Sequence, residues 1–177
     1  MVDDVRRSAL VVPVPEAEPV VGRWRRRLDP SADLGVPAHI TVLYPFIHPS
    51  DIDRDVIDAI AELSLGQPAF DFELRSVQWF GSDVVWIEPH PDTGFRALTA
   101  EVVRRWPDHR PYEGVYDDVV PHLTVADGAA PSDLRTAAID VAGRLPIMAR
   151  ANELCLMVGA EASDTWTQQR SFALGAP

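Results

Sequence analysis

The sequence predicts an α+β fold built from two like halves, and three observations carry that reading. Strand-like and helix-like segments alternate in the order β-α-β-α-β, and this order runs twice along the 177 residues. A short apolar strand bearing a His-x-Thr triplet stands in the middle of each half, in "HITVLYPF" from His39 and "PHLTVA" from Pro121. Hydrophobic residues make up 46% of the chain with no low-complexity stretch, enough to build one core. A single domain over 1–177 is expected, with lobes of roughly 1–81 and 82–177.

Each element has its own signal. "SALVVPV" at 8–14 is a β-branched run and reads as the first strand. Residues 16–28 read as a helix, where Pro19 is tolerable only in the first turn because a later proline removes a backbone donor. The first histidine strand, 38–44, follows. In "PSDIDRDVIDAIAELS", Ser50 or Asp51 can cap a helix whose Ile52, Val56, Ile57, Ile60 and Leu63 recur at helical spacing. A long strand at about 69–80 closes this half. The second half runs through a strand at 83–89, a helix at 93–106, the second histidine strand at 120–126 and a helix at 130–145 capped by Ser132 or Asp133. A strand around 147–159 and a last one in "TWTQQRSFAL" complete it. The loop 107–119, "PDHRPYEGVYDDV", is the one long irregular stretch and is expected to act as a flap.

Charge and cysteine content exclude several classes. A net charge of −11 argues against a protein that coats long nucleic acid, which depends on neutralising many phosphates. The basic run "RWRRR", Arg23 to Arg27, is expected to be a solvated helix end where cations offset the helix dipole; a phosphate-facing patch is the competing reading. The single cysteine, Cys155, leaves no intramolecular disulfide and no cysteine zinc cluster, and its apolar neighbours predict a buried, inert thiol. No window approaches the roughly 18 apolar residues of a membrane span, and "SALVV" is too short for a signal peptide, so no membrane association and a cytoplasmic location are expected.

Strand alternation says what the His-x-Thr triplets are for. Successive side chains change faces, so His39, Thr41 and Leu43 are predicted on one side and Ile40, Val42 and Tyr44 on the other; likewise His122 and Thr124 oppose Leu123 and Val125. With 5 histidines and 7 threonines, chance supplies roughly 0.2 such triplets at this length, and two are present. Opening or closing a phosphodiester at a ribose needs one group to accept a proton and another to donate one. Histidine suits both tasks because its ordinary pKa lies near neutrality. A threonine hydroxyl two residues on can donate to a phosphoryl oxygen where charge builds. His39, Thr41, His122 and Thr124 are therefore the candidate catalytic residues, with no metal and no cofactor required.

"HITVLYPF" and "PHLTVA", together with the doubled element order, resemble the two-histidine (2H) phosphoesterase superfamily, and most closely its bacterial 2′-5′ RNA ligase-like branch. "DVVWIEP" resembles the strand opening that family's second lobe, and "WTQQRSFAL" its closing strand. The resemblance implies a bilobed α+β fold with pseudo-twofold symmetry, two antiparallel sheets forming a concave cleft, and helices outside. It also implies activity on 2′,3′-cyclic phosphates, 2′-5′ linkages or other cyclic phosphodiesters, and it places His39, Thr41, His122 and Thr124 in the site.

Other residues are weaker candidates. Trp86, on a predicted strand, can stack on a base or pack in the core. Tyr44 lines the cleft only if Pro45 ends the strand alternation. Arg170, sharing a face of the last strand with Trp166 and Gln168, is the arginine best placed for a phosphate. His48, His90 and His109 fall in predicted loops without zinc-ligand spacing, which argues against a metal site. The expected substrate is a small cyclic nucleotide or a short RNA terminus. A binding module that keeps the cleft without turnover is the alternative, and intact acid–base pairs in both motifs favour the enzyme.

Overall fold

A computed structural model of the chain describes residues 6–160 and 164–175. Along the chain run β1 (Arg6–Pro13), α1 (Glu18–Leu28), α2 (Pro30–Asp33), β2 (His39–Leu43), α3 (Arg54–Leu65) and β3 (Phe70–Phe80). They are followed by β4 (Val84–His90), α4 (Thr93–Arg105), β5 (Leu123–Asp127), α5 (Pro131–Ala142), β6 (Ile147–Ala151), β7 (Glu153–Ala160) and β8 (Asp164–Ala173). The strands form two four-stranded sheets, β2-β1-β7-β8 and β5-β4-β3-β6, and every strand pair within them is antiparallel.

The sheets are not drawn one from each half of the chain. β3 ends the first half yet pairs with β4 and β6, while β7 and β8 return to extend the sheet that β1 began. Helices cross over as well: α1 packs on β5 and α4 on β2. Thr99 of α4 donates its hydroxyl to the Val42 carbonyl at 2.9 Å, fixing that crossing. One core results. It joins Leu10, Ile40 and Val42 of the first sheet to Leu74, Ile87 and Leu123 of the second through Val21, Ile60, Phe95, Leu98 and Leu134 of the helices. Full burial of such side chains contributes about 1.5–3 kcal/mol each before the entropy of ordering them is subtracted.

Several local expectations are revised by backbone chemistry. Asp53, rather than Ser50 or Asp51, caps α3 by accepting from the Val56 amide at 2.9 Å, because residues 49–51 form their own 3-10 turn. α5 begins at Pro131 with Ala130 as cap, since proline at the first position has no amide to satisfy. α2 was not legible. Asp29 creates it by accepting from the Ser31 amide while Pro30 starts the turn. The loop 107–119 contains a turn at Pro111–Gly114 in which Tyr112 and Glu113 adopt left-handed backbone angles, and the Tyr112 amide donates to the Tyr44 carbonyl at 2.6 Å.

A register shift changes β2 in a way that matters for the site. Val11 pairs with Thr41 and Leu10 with Leu43, so β2 carries one extra residue there. Val42 and Leu43 consequently both enter the core, against the expectation that Leu43 shares the His39 face. Tyr44 is thereby returned to the side of His39 and Thr41.

Candidate active site

β2 and β5 are the facing edges of the two sheets, and they lie in contact with one another. His39 opens β2; His122 stands one residue before β5. Their apolar neighbours Ile40 and Leu123 are fully buried beneath them, whereas both imidazoles and both threonines keep partial exposure. The Nδ1 of His39 lies 2.7 Å from the Pro37 carbonyl oxygen, and the Nδ1 of His122 lies 2.7 Å from that of Val120. A carbonyl can only accept, so Nδ1 carries the proton in each ring. Nε2 is left as the free acceptor of both neutral rings.

Burial makes these imidazoles hard to charge. The His39 pKa is lowered from 6.5 to about 4, first by burial and then by the Arg25 guanidinium; the Pro37 carbonyl and Asp29 oppose the shift, and His122 adds a smaller downward push. That the two rings influence each other fits the contact between their strands. His122 is lowered too, by burial against the opposing Val120 carbonyl.

On the first sheet, His39, Thr41 and Tyr44 line a cavity of about 220 Å³ with Ala9, Val11, Ser31, Val36, Met157 and Trp166. This face is an apolar floor beside polar groups. Trp166 lies across the backbone of Gly159, where an added Cβ would sit 2.4 Å from the indole. Tyr44 meets Trp166 with ring centroids 6.0 Å apart. Tyr112 reaches over from the left-handed turn at 111–114 and hydrogen-bonds Thr41, while burial raises its phenol pKa. A groove along α4 joins Thr41 to Val119 and Pro121, the approach to His122.

On the second sheet, Trp86 pairs in register with Thr124 and Gln78, so it faces the same side as His122. It is not an open stacking platform. Phe80 covers it at 4.6 Å and 22°, and Phe80 is the ring left exposed, with its centroid 5.0 Å from that of His122. Trp86 is buried, and its indole N–H has no hydrogen-bond partner among the described residues. Beside it Gln78 donates to Ser76, and Ser76 donates to Glu88 at 2.8 Å.

The remaining candidates lie elsewhere. Arg170 is exposed and pairs with Leu156, a core residue; a register shift between Leu156 and Met157 takes it out of phase with Gln168 and Trp166. His48 accepts from Ser50, His90 ends β4, and His109 packs on Phe46. His48 and His109 border a cavity of about 390 Å³ with Arg6, Arg7 and Arg110, one residue past Tyr44 and separate from the His-x-Thr groups. The "RWRRR" run is divided between solvent, α5 and the interior. Arg23 and Arg27 pair with Asp140 and Asp133 of α5, Trp24 donates to Asp140, and Arg25 is buried. Among the described residues, no three His, Cys, Asp or Glu side chains converge as metal ligands, and no helix is long and apolar enough to cross a membrane. Cys155 is buried, with its thiol pushed up to about 11 by burial and by Glu153.

Two His-x-Thr edges are thus set against each other between antiparallel sheets. A family model described as the 2′-5′ RNA ligase superfamily matches residues 12–162, and the chain belongs to that superfamily of 2H phosphoesterases. Among solved structures, E. coli LigT complexed with 3′-AMP is similar with a TM-score of 0.58 and 20% identity, over 96% of this chain and 98% of that one. E. coli LigT complexed with NADP+ gives 0.58 and 20% over 98% and 99% of the two chains. TT0787 of Thermus thermophilus gives 0.65 and 18% over 96% and 98%. These likenesses establish the fold. No curated protein matches the sequence.

Proposed function

We propose that this protein is a metal-independent phosphodiesterase acting on a 2′,3′-cyclic or 2′-5′-linked ribose phosphate of a nucleotide or short RNA end. The observation that carries the reading is the shared frame of the two imidazoles, each holding its Nδ1 proton on a carbonyl and offering Nε2 at the contact of β2 and β5. A phosphate there meets a proton acceptor and a proton donor from opposite strands. Hydroxyls of Thr41 and Thr124 donate to its nonbridging oxygens as charge builds.

Protonation order follows from the shifts. His39 is the harder ring to charge, so the populated singly protonated state has neutral His39 and protonated His122. In that state His39 accepts the proton of the attacking oxygen, and His122 supplies one to the departing oxygen. The apolar floor of Val11, Met157 and Trp166 and the exposed Phe80 ring suit a nucleoside.

The complexes of E. coli LigT with 3′-AMP and NADP+ support a small nucleotide ligand. So does the net charge of −11, which favours a ligand with few phosphates in the cytoplasm over long RNA. The test is turnover of 2′,3′-cyclic AMP and a short 2′-5′ oligonucleotide by EDTA-treated protein. Loss of either substrate supports the reading; binding without turnover of both leaves a nucleotide-binding module instead.

A further inference from the structure

We infer that Arg25 is a positioning residue for the reaction, holding the loop that presents His39 and setting the charge against which that imidazole works. The inference rests on the two-histidine reading. Arg25 lies in the last turn of α1, within the run that composition alone marks as a surface patch, yet its side chain is 3% exposed. Its Nε donates to Asp29 at 3.0 Å, one terminal nitrogen to the Val36 carbonyl at 3.2 Å, and the other to the Ser31 hydroxyl at 3.1 Å. Seven residues earlier on the same helix, Glu18 accepts from the Ala38 amide at 2.7 Å. One helix face therefore grips Asp29, Ser31, Val36 and Ala38, the whole path into His39, and Ser31 and Val36 line the same cavity as His39.

A planar guanidinium spreads five donors over a rigid fork and reaches three separated acceptors at once, whereas a lysine's three donors radiate from a single nitrogen. Arg25 and Asp29 act on His39 in opposite senses, and the Arg25 effect is the larger. The other titratable groups near this strand are Glu18, 3.9 Å from the Arg25 guanidinium, His122 from the head of β5 and Tyr112 on Thr41. From β1, β7 and β8 only Ala9, Val11, Met157 and Trp166 line the cavity.

Three variants, R25K, D29N and R25Q/D29N, separate grip from charge. NMR titration of the His39 ring, with His122 as internal reference, needs no turnover; kcat/KM against pH and thermal melts accompany it. R25Q/D29N is expected to move the His39 midpoint upward from about 4, short of 6.5 because burial persists. D29N alone moves it down. R25K keeps the charge but loses the fork, so kcat falls about tenfold or more while the His39 midpoint stays near wild type. Wild-type titration of His39 in folded R25Q/D29N and D29N, with full kcat in R25K, would reduce Arg25 to a brace of the fold. If instead His39 responds to these changes while H39A retains full activity, the two-histidine reading fails and the electrostatic coupling stands.

Discussion

His39 and His122 occupy equivalent frames in the two halves: each Nδ1 lies 2.7 Å from the carbonyl oxygen two residues earlier, at Pro37 and Val120. The equivalence reaches the atoms that fix tautomer and ring orientation. In the proposed function, two such frames at the contact of β2 and β5 serve as an acid–base pair made from one repeated device.

Acidity is the first consequence. Neutral His39 requires a pH above about 4, and protonated His122 requires a pH below its own value, which lies under 6.5. A plot of kcat/KM against pH is expected to be bell-shaped with its maximum between about 4 and 6.5. A maximum well above 6.5 would contradict the assigned shifts.

The same shifts affect folding. Between about 4 and 6.5 the unfolded chain binds protons at these histidines that the folded chain refuses, so their contribution is fully present above 6.5 and is lost as pH falls toward about 4. Denaturant unfolding of wild type and H39A at pH 7 and pH 5 measures it. H39A should lose less stability than wild type over that interval.

Phe80 and Tyr112 make separate predictions. Phe80→Ala removes the exposed ring beside His122 and should weaken nucleotide binding by about 1–3 kcal/mol, the usual worth of a base–aromatic stack, while inorganic phosphate binds as before. Isothermal titration with both ligands checks it. Tyr112→Phe deletes the hydrogen bond to Thr41 and should reduce kcat/KM by about fivefold, equivalent to about 1 kcal/mol.

Gly159→Ala tests the floor of the cavity beside His39. A Cβ there meets the Trp166 indole at 2.4 Å, and the ring is pinned by the Trp166 amide donating to the Leu34 carbonyl at 2.6 Å. Destabilisation of about 1–3 kcal/mol and a raised KM are expected from a thermal melt and steady-state kinetics.

Much of this was legible in sequence because period and repetition leave marks. His39, Thr41, His122 and Thr124 stood out as paired triplets on apolar strands, and burial of Ile40, Leu123 and Val125 beneath them follows from alternation. What sequence hid depends on register and tertiary contact. The extra residue at Val42 and Leu43 turned Tyr44 toward the cleft, and the shift near Leu156 turned Arg170 away. Phe80 was within reach of the alternation argument, since it shares a face with Ser76 and Gln78, but that it covers Trp86 is a packing fact. Arg25 was masked by its neighbours, three exposed arginines in the same run.

The most direct test compares wild type, H39A, H122A, T41V and T124V on 2′,3′-cyclic AMP in the presence of EDTA, after circular dichroism has shown each variant folded. Each histidine replacement should lower turnover by about two to four orders of magnitude, and each threonine replacement by less, because it removes one donor but leaves proton transfer intact. A folded H122A or H39A with wild-type turnover would contradict the two-histidine account.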